Sequence, residues 1–275
     1  MPWMSTNTST IGFIGAGNMA TALIEGLLAN GYSPASLWAS DTSDTRLAAL
    51  SQKGVCTTAD NSVLVSKCDI VVLAVKPQVM ATVVNAIAPT LAKHDCLLIS
   101  IAAGITLASL SQWSHPRQRI VRCMPNTPAL VQLGASACCG NSMISQSDRD
   151  ATTAIVDAVG ISCWLDNEKQ IDAVTALSGS GPAYFFLLME AMQQAAAALG
   201  LSEDVSRTLC LQTALGAATL ASRSAVDVQE LRRQVTSPGG TTEAAIRQFE
   251  SEKLREIVMR AMQQAALRSE ELAKN

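Results

Sequence analysis

Thr10-Ile11-Gly12-Phe13-Ile14-Gly15-Ala16-Gly17-Asn18-Met19-Ala20 decides how the first half of this chain folds. A short apolar run ends in glycines, and a helical pattern of Leu23, Ile24, Leu27 and Leu28 follows at once. Strand, tight turn and helix in that order make Gly15-x-Gly17-x-x-Ala20 a dinucleotide-binding fingerprint in its G-x-G-x-x-A form. Gly15 permits the turn, Gly17 lets backbone approach a pyrophosphate, and Ala20 lets the helix pack close to its strand. The free N–H groups and positive dipole end of the helix, at Ala16, Gly17, Asn18 and Met19, then favour phosphate charge. A tight βα turn with no ligand is the plainer reading of the same residues.

Further along, strand and helix patterns alternate. Leu37 to Ser40 reads as a second strand ending at Asp41, 41 − 15 = 26 residues after the first fingerprint glycine. A carboxylate there accepts hydrogen bonds from a ribose diol and favours NAD. Thr42, Ser43, Thr45 and Arg46 instead suit a 2′-phosphate, and Asp41 also fits as a cap for a helix over residues 43–51. These three readings stay open. Val55 to Thr57 is a weak third strand. Ile70 to Val75 is a strong fourth one, continuously apolar as a strand buried on both faces should be. It ends in Ala74, Val75 and Lys76, with Pro77 opening a helix. Cys96 to Ile101 runs into Ala102, Ala103 and Gly104, where small residues would let a flat ring lie against backbone. Arg119 to Met124 runs into Pro125-Asn126-Thr127-Pro128, a stiff loop. Ligands of doubly wound sheets gather at the carboxyl ends of strands, where all these segments lie. Short strands at Ala135 to Cys139 and Cys163 to Leu165 flank a helix over residues 148–159.

From Glu168 onward only helical patterns are found, over 169–177, 182–199, 202–222, 227–235, 242–248 and 253–273. The chain therefore divides into residues 1–166, an α/β Rossmann-type dinucleotide-binding domain, and residues 167–275, an all-helical domain. Asp227 with Glu230 reads as a capping box, and Gly200 as a helix end. Two glycine cassettes, Ser178-Gly179-Ser180-Gly181-Pro182-Ala183-Tyr184 and Ser237-Pro238-Gly239-Gly240-Thr241-Thr242-Glu243, each read as opening a helix, with Thr241 as the N-cap of the second. Exposed N–H groups at such starts suit a small carboxylate or phosphate, although plain capping explains either cassette alone.

Composition narrows the function. Among 275 residues, 48% are hydrophobic, 16% charged and 4% aromatic, and the formal charge is −3. There is no basic cluster for nucleic acid, and no apolar run reads as membrane-spanning. Residues 1–5 lack the charged and apolar regions of a leader. The eight cysteines include no C-x-x-C pair. Cys68, Cys96, Cys123 and Cys163, in or beside apolar strands, read as reduced buried thiols of a cytoplasmic protein. No residue cluster has metal-ligand spacing. The two histidines, His94 in a polar turn and His115 before a proline, are poor catalytic candidates.

After residue 10 the chain closely resembles the pyrroline-5-carboxylate reductases, through Gly12 to Met19, Ala74 to Pro77, Ser100 to Gly104, Met124 to Pro128, Leu177 to Tyr184 and Ser237 to Thr242. The resemblance implies reduction of L-1-pyrroline-5-carboxylate to L-proline with NADPH or NADH, the last step of proline synthesis. It also implies that the helical domain is a dimerisation domain interlocked with a second copy, often assembled further, with the active site built from both subunits. Asn61 would then touch the cofactor, as would Ala74, Lys76 and Pro77, while Ala102, Ala103 and the loop with Pro125 and Asn126 would line the nicotinamide. The cassettes would hold the substrate, with Ser178 and Ser180 in the first and the N–H groups of Gly239, Gly240 and Thr241 on its carboxylate. Thr242 would hydrogen-bond the ring nitrogen and is the catalytic candidate. Asp41 is a departure, since many relatives carry a neutral residue there.

The chemistry is consistent with these residues. Hydride transfer to an imine already partly protonated near neutral pH needs positioning more than acid–base groups. A 3-hydroxyacid dehydrogenase shares the fingerprint and a helical second domain but needs a lysine in that domain's first long helix, where only Lys169 stands, at its edge. A non-catalytic nucleotide-binding protein would keep the fingerprint without needing the second cassette.

Overall fold

The computed structural model describes residues 9–273, so the residues read above for a leader lie outside it. Eight strands form one sheet: β1 (Ile11–Ile14), β2 (Leu37–Ser40), β3 (Cys56–Thr58), β4 (Ile70–Leu73), β5 (Leu97–Ser100), β6 (Ile120–Met124), β7 (Gly134–Gly140) and β8 (Gly160–Trp164). Their order is β3-β2-β1-β4-β5-β6-β7-β8. All neighbours run parallel except β6 and β7, which pair antiparallel. Helices α1 (Asn18–Ala29), α2 (Asp44–Ser51), α3 (Asn61–Val65), α4 (Pro77–Leu91), α5 (Leu107–Trp113) and α6 (Gln146–Asp157) alternate with the strands. The order reverses at β1, whose carboxyl end is where a doubly wound sheet binds its ligand.

The apolar strands are buried on both faces, as their unbroken hydrophobicity requires. Ile11, Phe13, Val72 and Ile99 point into one core with Leu23, Ile24 and Leu27 of α1. Ile14, Val71, Leu73 and Leu98 point into the other with Met80, Val84 and Ile87 of α4. Each such side chain contributes about 1.5–3 kcal/mol by leaving water. One cysteine departs from expectation. Cys163 is exposed, because β8 is the sheet's edge strand and its Ile161–Cys163 side is uncovered in this chain.

The remaining helices are α7 (Gln170–Val174), α8 (Gly181–Ala198), α9 (Glu203–Arg223), α10 (Val228–Gln234), α11 (Thr241–Ser251) and α12 (Leu254–Leu272). By contact, residues up to Ser180 and those from Ala265 on form one compact unit, and residues 181–264 a second. Ser269 Oγ donates to Asp172 Oδ1 at 2.7 Å, which binds the end of α12 to α7 within the first unit.

Three expectations about the helical part need correction, and a fourth needs completing. The first cassette opens α8 at Gly181, with Pro182 in its first turn, but no loop precedes it. A π-helical turn, Thr175–Gly179, carries the chain from α7 to α8, and Ser180 N–H donates to Thr175 O at 2.8 Å. That continuity makes Gln170–Ala198 a helical run of 29 residues, long and apolar enough to cross a membrane, although reading it as two pieces gave no such run. Thr241 is the first residue of α11, and Gly240 is the N-cap. Asp227 accepts the N–H of Glu230, but the Glu230 carboxylate turns to Arg233, so only half of the capping box forms.

Candidate active site

The fingerprint turn is built by two glycines for different reasons. Gly15 has φ +97, and a Cβ there would lie 2.8 Å from Ala74 O, so backbone conformation and crowding both demand glycine. Its N–H donates to Ser40 O at 2.7 Å, joining the turn to β2. Gly17 is the N-cap of α1 with an ordinary φ of −75, and a Cβ there would meet nothing within 4 Å. Open backbone at this position is what the approach of a pyrophosphate requires. The first turn of α1, with Asn18 and Met19, holds no acidic residue of its own. The residues present fit a dinucleotide.

Asp41 closes the turn from the far side. Its Oδ2 accepts Ala16 N–H at 2.7 Å and its Oδ1 accepts Ser43 N–H at 2.8 Å. Arg46 Nη1 stands 3.5 Å from Oδ2. Burial works against the charge, but these backbone N–H groups and Arg46 hold the carboxyl below the usual aspartate range. Asn61, the first residue of α3, accepts Ser40 Oγ at 2.7 Å, beside the end of β2.

At the end of β4, Ala74 N–H donates to Ile14 O, Lys76 is the exposed N-cap of α4 and Pro77 its first residue, with Val75 between. At the end of β5, Ser100 Oγ accepts the N–H of Ala102, which is buried, followed by Ala103 and by Gly104 at φ +74. At the end of β6, Pro125 leads into Asn126, both ends of whose side chain are used by the protein. Its Nδ2 donates to Ser178 O at 3.0 Å and its Oδ1 accepts Ala135 N–H at 2.9 Å. Ser178 Oγ donates to Val174 O at 3.1 Å. The fingerprint turn, the β4, β5 and β6 ends and Ser178–Ser180 thus all belong to the sheet unit.

The second cassette lies in the other unit. Gly239 N–H donates to Glu243 Oε2 at 2.8 Å and Gly240 N–H to Ser237 O at 3.0 Å. Among the described residues, the N–H groups of Thr241, Thr242 and Glu243 have no protein partner, and neither does the Thr242 hydroxyl. The free N–H groups of this helix start are therefore those of residues 241–243, two residues later than the Gly239–Thr241 set, with Thr241 common to both.

Sequence reading missed a buried ion pair. Arg122 on β6, 3% exposed, donates through Nη1 to Glu168 Oε1 at 2.8 Å, and the same oxygen accepts Leu107 N–H at the start of α5. An arginine inside an otherwise apolar strand was the available signal, since such a charge needs a partner. The Asn126–Ser178 bond was missed too.

The profile for pyrroline-5-carboxylate reductase dimerisation matches residues 168–272, and that for coenzyme F420-dependent NADP oxidoreductase matches residues 10–104. A pyrroline-5-carboxylate reductase of Pseudomonas aeruginosa is 50% identical over 97% of this chain and 98% of its own length. The structure of a pyrroline-5-carboxylate reductase from Coxiella burnetii superposes with a TM-score of 0.95 at 44% identity, covering 98% of this chain and 100% of that one. The Plasmodium falciparum pyrroline carboxylate reductase, solved with NADP bound, gives 0.85 at 33% identity, covering 97% and 98%.

Proposed function

The chain belongs to the pyrroline-5-carboxylate reductase family, and we propose how its own residues carry the reaction. It reduces L-1-pyrroline-5-carboxylate to L-proline with NAD(P)H. When bound, the nicotinamide supplies a hydride to the imine carbon; the ring nitrogen already carries the proton, so the C=N double bond becomes a C–N single bond and NAD(P)H becomes NAD(P)⁺. Gly15, Ala16, Gly17 and the first turn of α1 hold the pyrophosphate. Asp41 and Asn61 border the adenosine ribose. Ala74–Pro77, Ala102–Gly104 and the loop with Pro125 and Asn126 line the nicotinamide.

The substrate carboxylate takes the free N–H groups at the start of α11, at Thr241 and its neighbours after Gly239 and Gly240. Thr242 Oγ accepts a hydrogen bond from the protonated ring nitrogen and fixes which face of the imine is presented. Ser178 and Ser180 supply hydroxyls on the nicotinamide side. No histidine or metal is required, because an iminium is already an electrophile and the remaining demand is orientation and exclusion of water.

A second copy of the chain covers the helical unit. Phe185, Phe186 and Leu187 on α8 and Leu209, Leu215 and Leu220 on α9 are all more than half exposed, too much apolar surface for a helical unit standing alone. All eight cysteines are free thiols, in keeping with a reducing, cytoplasmic setting.

The observation that carries the reading is Gly17, which at the start of α1 leaves open backbone for a pyrophosphate to approach. The test is cofactor oxidation by the purified protein with pyrroline-5-carboxylate, run with NADPH and NADH in parallel. Turnover is expected. Cofactor binding without turnover of the imine would leave a nucleotide-binding protein in place of a reductase.

A further inference from the structure

Pro182 lies four residues after Ser178 inside a continuous helical run. In an α-helix the carbonyl of Ser178 would accept the N–H of residue 182. Proline has no N–H. The carbonyl thus lacks its α-helical donor, and Asn126 Nδ2 supplies one from outside the helix at 3.0 Å. The other end of the same amide accepts Ala135 N–H. Asn126 is only 8% exposed, so water does not compete for either bond. Met124, two residues before, packs so closely on the same turn that a Cβ on Gly179 would lie 2.8 Å from its Cε. The π-helical widening over Thr175–Gly179 lies at this contact, where such turns often mark functional positions.

We propose that Asn126 is a positioning residue of the reductase rather than a cofactor ligand. It locks the loop after β6 to the turn Ser178–Ser180, and so holds in place the wall against which the nicotinamide would lie. The proposal rests on the functional reading above. Hydride transfer requires reacting atoms about 3–3.5 Å apart, and a displacement of about 1 Å costs on the order of 100-fold in rate. A shift of the nicotinamide wall on loss of this bond would therefore be read as a loss of rate.

Asn126→Asp tests the bond with least disturbance, since the carboxylate still accepts Ala135 N–H but has nothing to donate to Ser178 O. The expected result is a kcat lowered by about tenfold or more, a cofactor Kd within about twofold of the parent, and a larger primary isotope effect with cofactor deuterated at the transferred position. A raised cofactor Kd with an unchanged isotope effect would overturn the proposal and make Asn126 a ligand. A double-mutant cycle between Asn126→Ala and Pro182→Ala gives a second readout. Pro182→Ala returns a backbone donor to Ser178 O, so the loss of melting temperature from Asn126→Ala should shrink in that background while kcat stays low. Additive melting shifts, or recovery of kcat together with stability, would remove the positioning role. If the parent reduces no imine the functional reading fails, and the melting cycle still decides whether the two residues are coupled through Ser178.

Discussion

The carboxylate of Asp41, one residue past the end of β2, accepts the backbone N–H of Ala16 at 2.7 Å, inside the glycine-rich turn 25 residues earlier. A negative charge is thus fixed to the turn proposed to hold the pyrophosphate, next to the expected place of the adenosine ribose. Its nearby cation, Arg46, is already engaged with it. A ribose diol can donate to such a carboxylate, whereas a 2′-phosphate is repelled by it. NADH should therefore serve at least as well as NADPH. Asp41→Asn should move the ratio of kcat/KM values toward NADPH by about tenfold, the size of a like-charge contact of about 1–2 kcal/mol. An unchanged ratio would assign Asp41 to holding the turn alone.

The same contact predicts a pH dependence. Asp41 is held below the usual aspartate range in the folded protein, despite its burial, by the Ala16 and Ser43 N–H groups and Arg46. Its stabilisation is accordingly complete above the unfolded value of about 3.9 and is lost as pH falls through the lower folded value. The difference in melting temperature between the parent and Asp41→Asn should stay constant from neutral pH down to about 5 and close below about 4.

Gly15 and Gly17 should respond oppositely to alanine. At Gly15, φ +97 and Ala74 O at 2.8 Å make Gly15→Ala destabilising by about 1–3 kcal/mol. Gly17 has backbone angles any residue adopts and open space around it, so Gly17→Ala should leave stability unchanged or raise it by up to about 1 kcal/mol. Calorimetric titration of the same variant should show cofactor binding weakened by tenfold or more.

Thr242→Ala removes a hydroxyl with no protein partner, so the fold should be unaffected. Turnover should fall about 5- to 150-fold, the equivalent of about 1–3 kcal/mol for an unmade bond to a buried polar group. Parent-like turnover would return Thr242 to ordinary first-turn duty.

Phe186, 64% exposed on α8, should lie under the partner copy. Phe186→Asp is expected to give a lower-mass species by light scattering, with turnover lost along with the assembly. Retention of both mass and activity would show that α8 does not carry the interface.

Sequence legibility followed the range of the physics. The fingerprint, the buried parallel strands and the alternation up to Trp164 are dictated by local chemistry: glycine where a turn must tighten, unbroken apolar runs where both faces are covered, small residues where helix meets strand. Those features could be read directly, as could the family resemblance carried by the cassettes. What could not be read depends on partners far away in the chain. Whether Ser178–Gly181 starts a helix or continues one was settled by the π turn and by Asn126, 52 residues earlier, filling the carbonyl that Pro182 leaves vacant. Which N–H groups of the second cassette are free turned on the Glu243 carboxylate and the Ser237 carbonyl. Arg122 could enter an apolar strand only because Glu168, 46 residues on, neutralises it. The residue pattern alone determined the cofactor fold, because that follows from each residue's own backbone freedom and polarity. Only the tertiary structure decided which polar groups remain unpaired for ligands, because a hydrogen bond or ion pair is a property of two residues and not of either one.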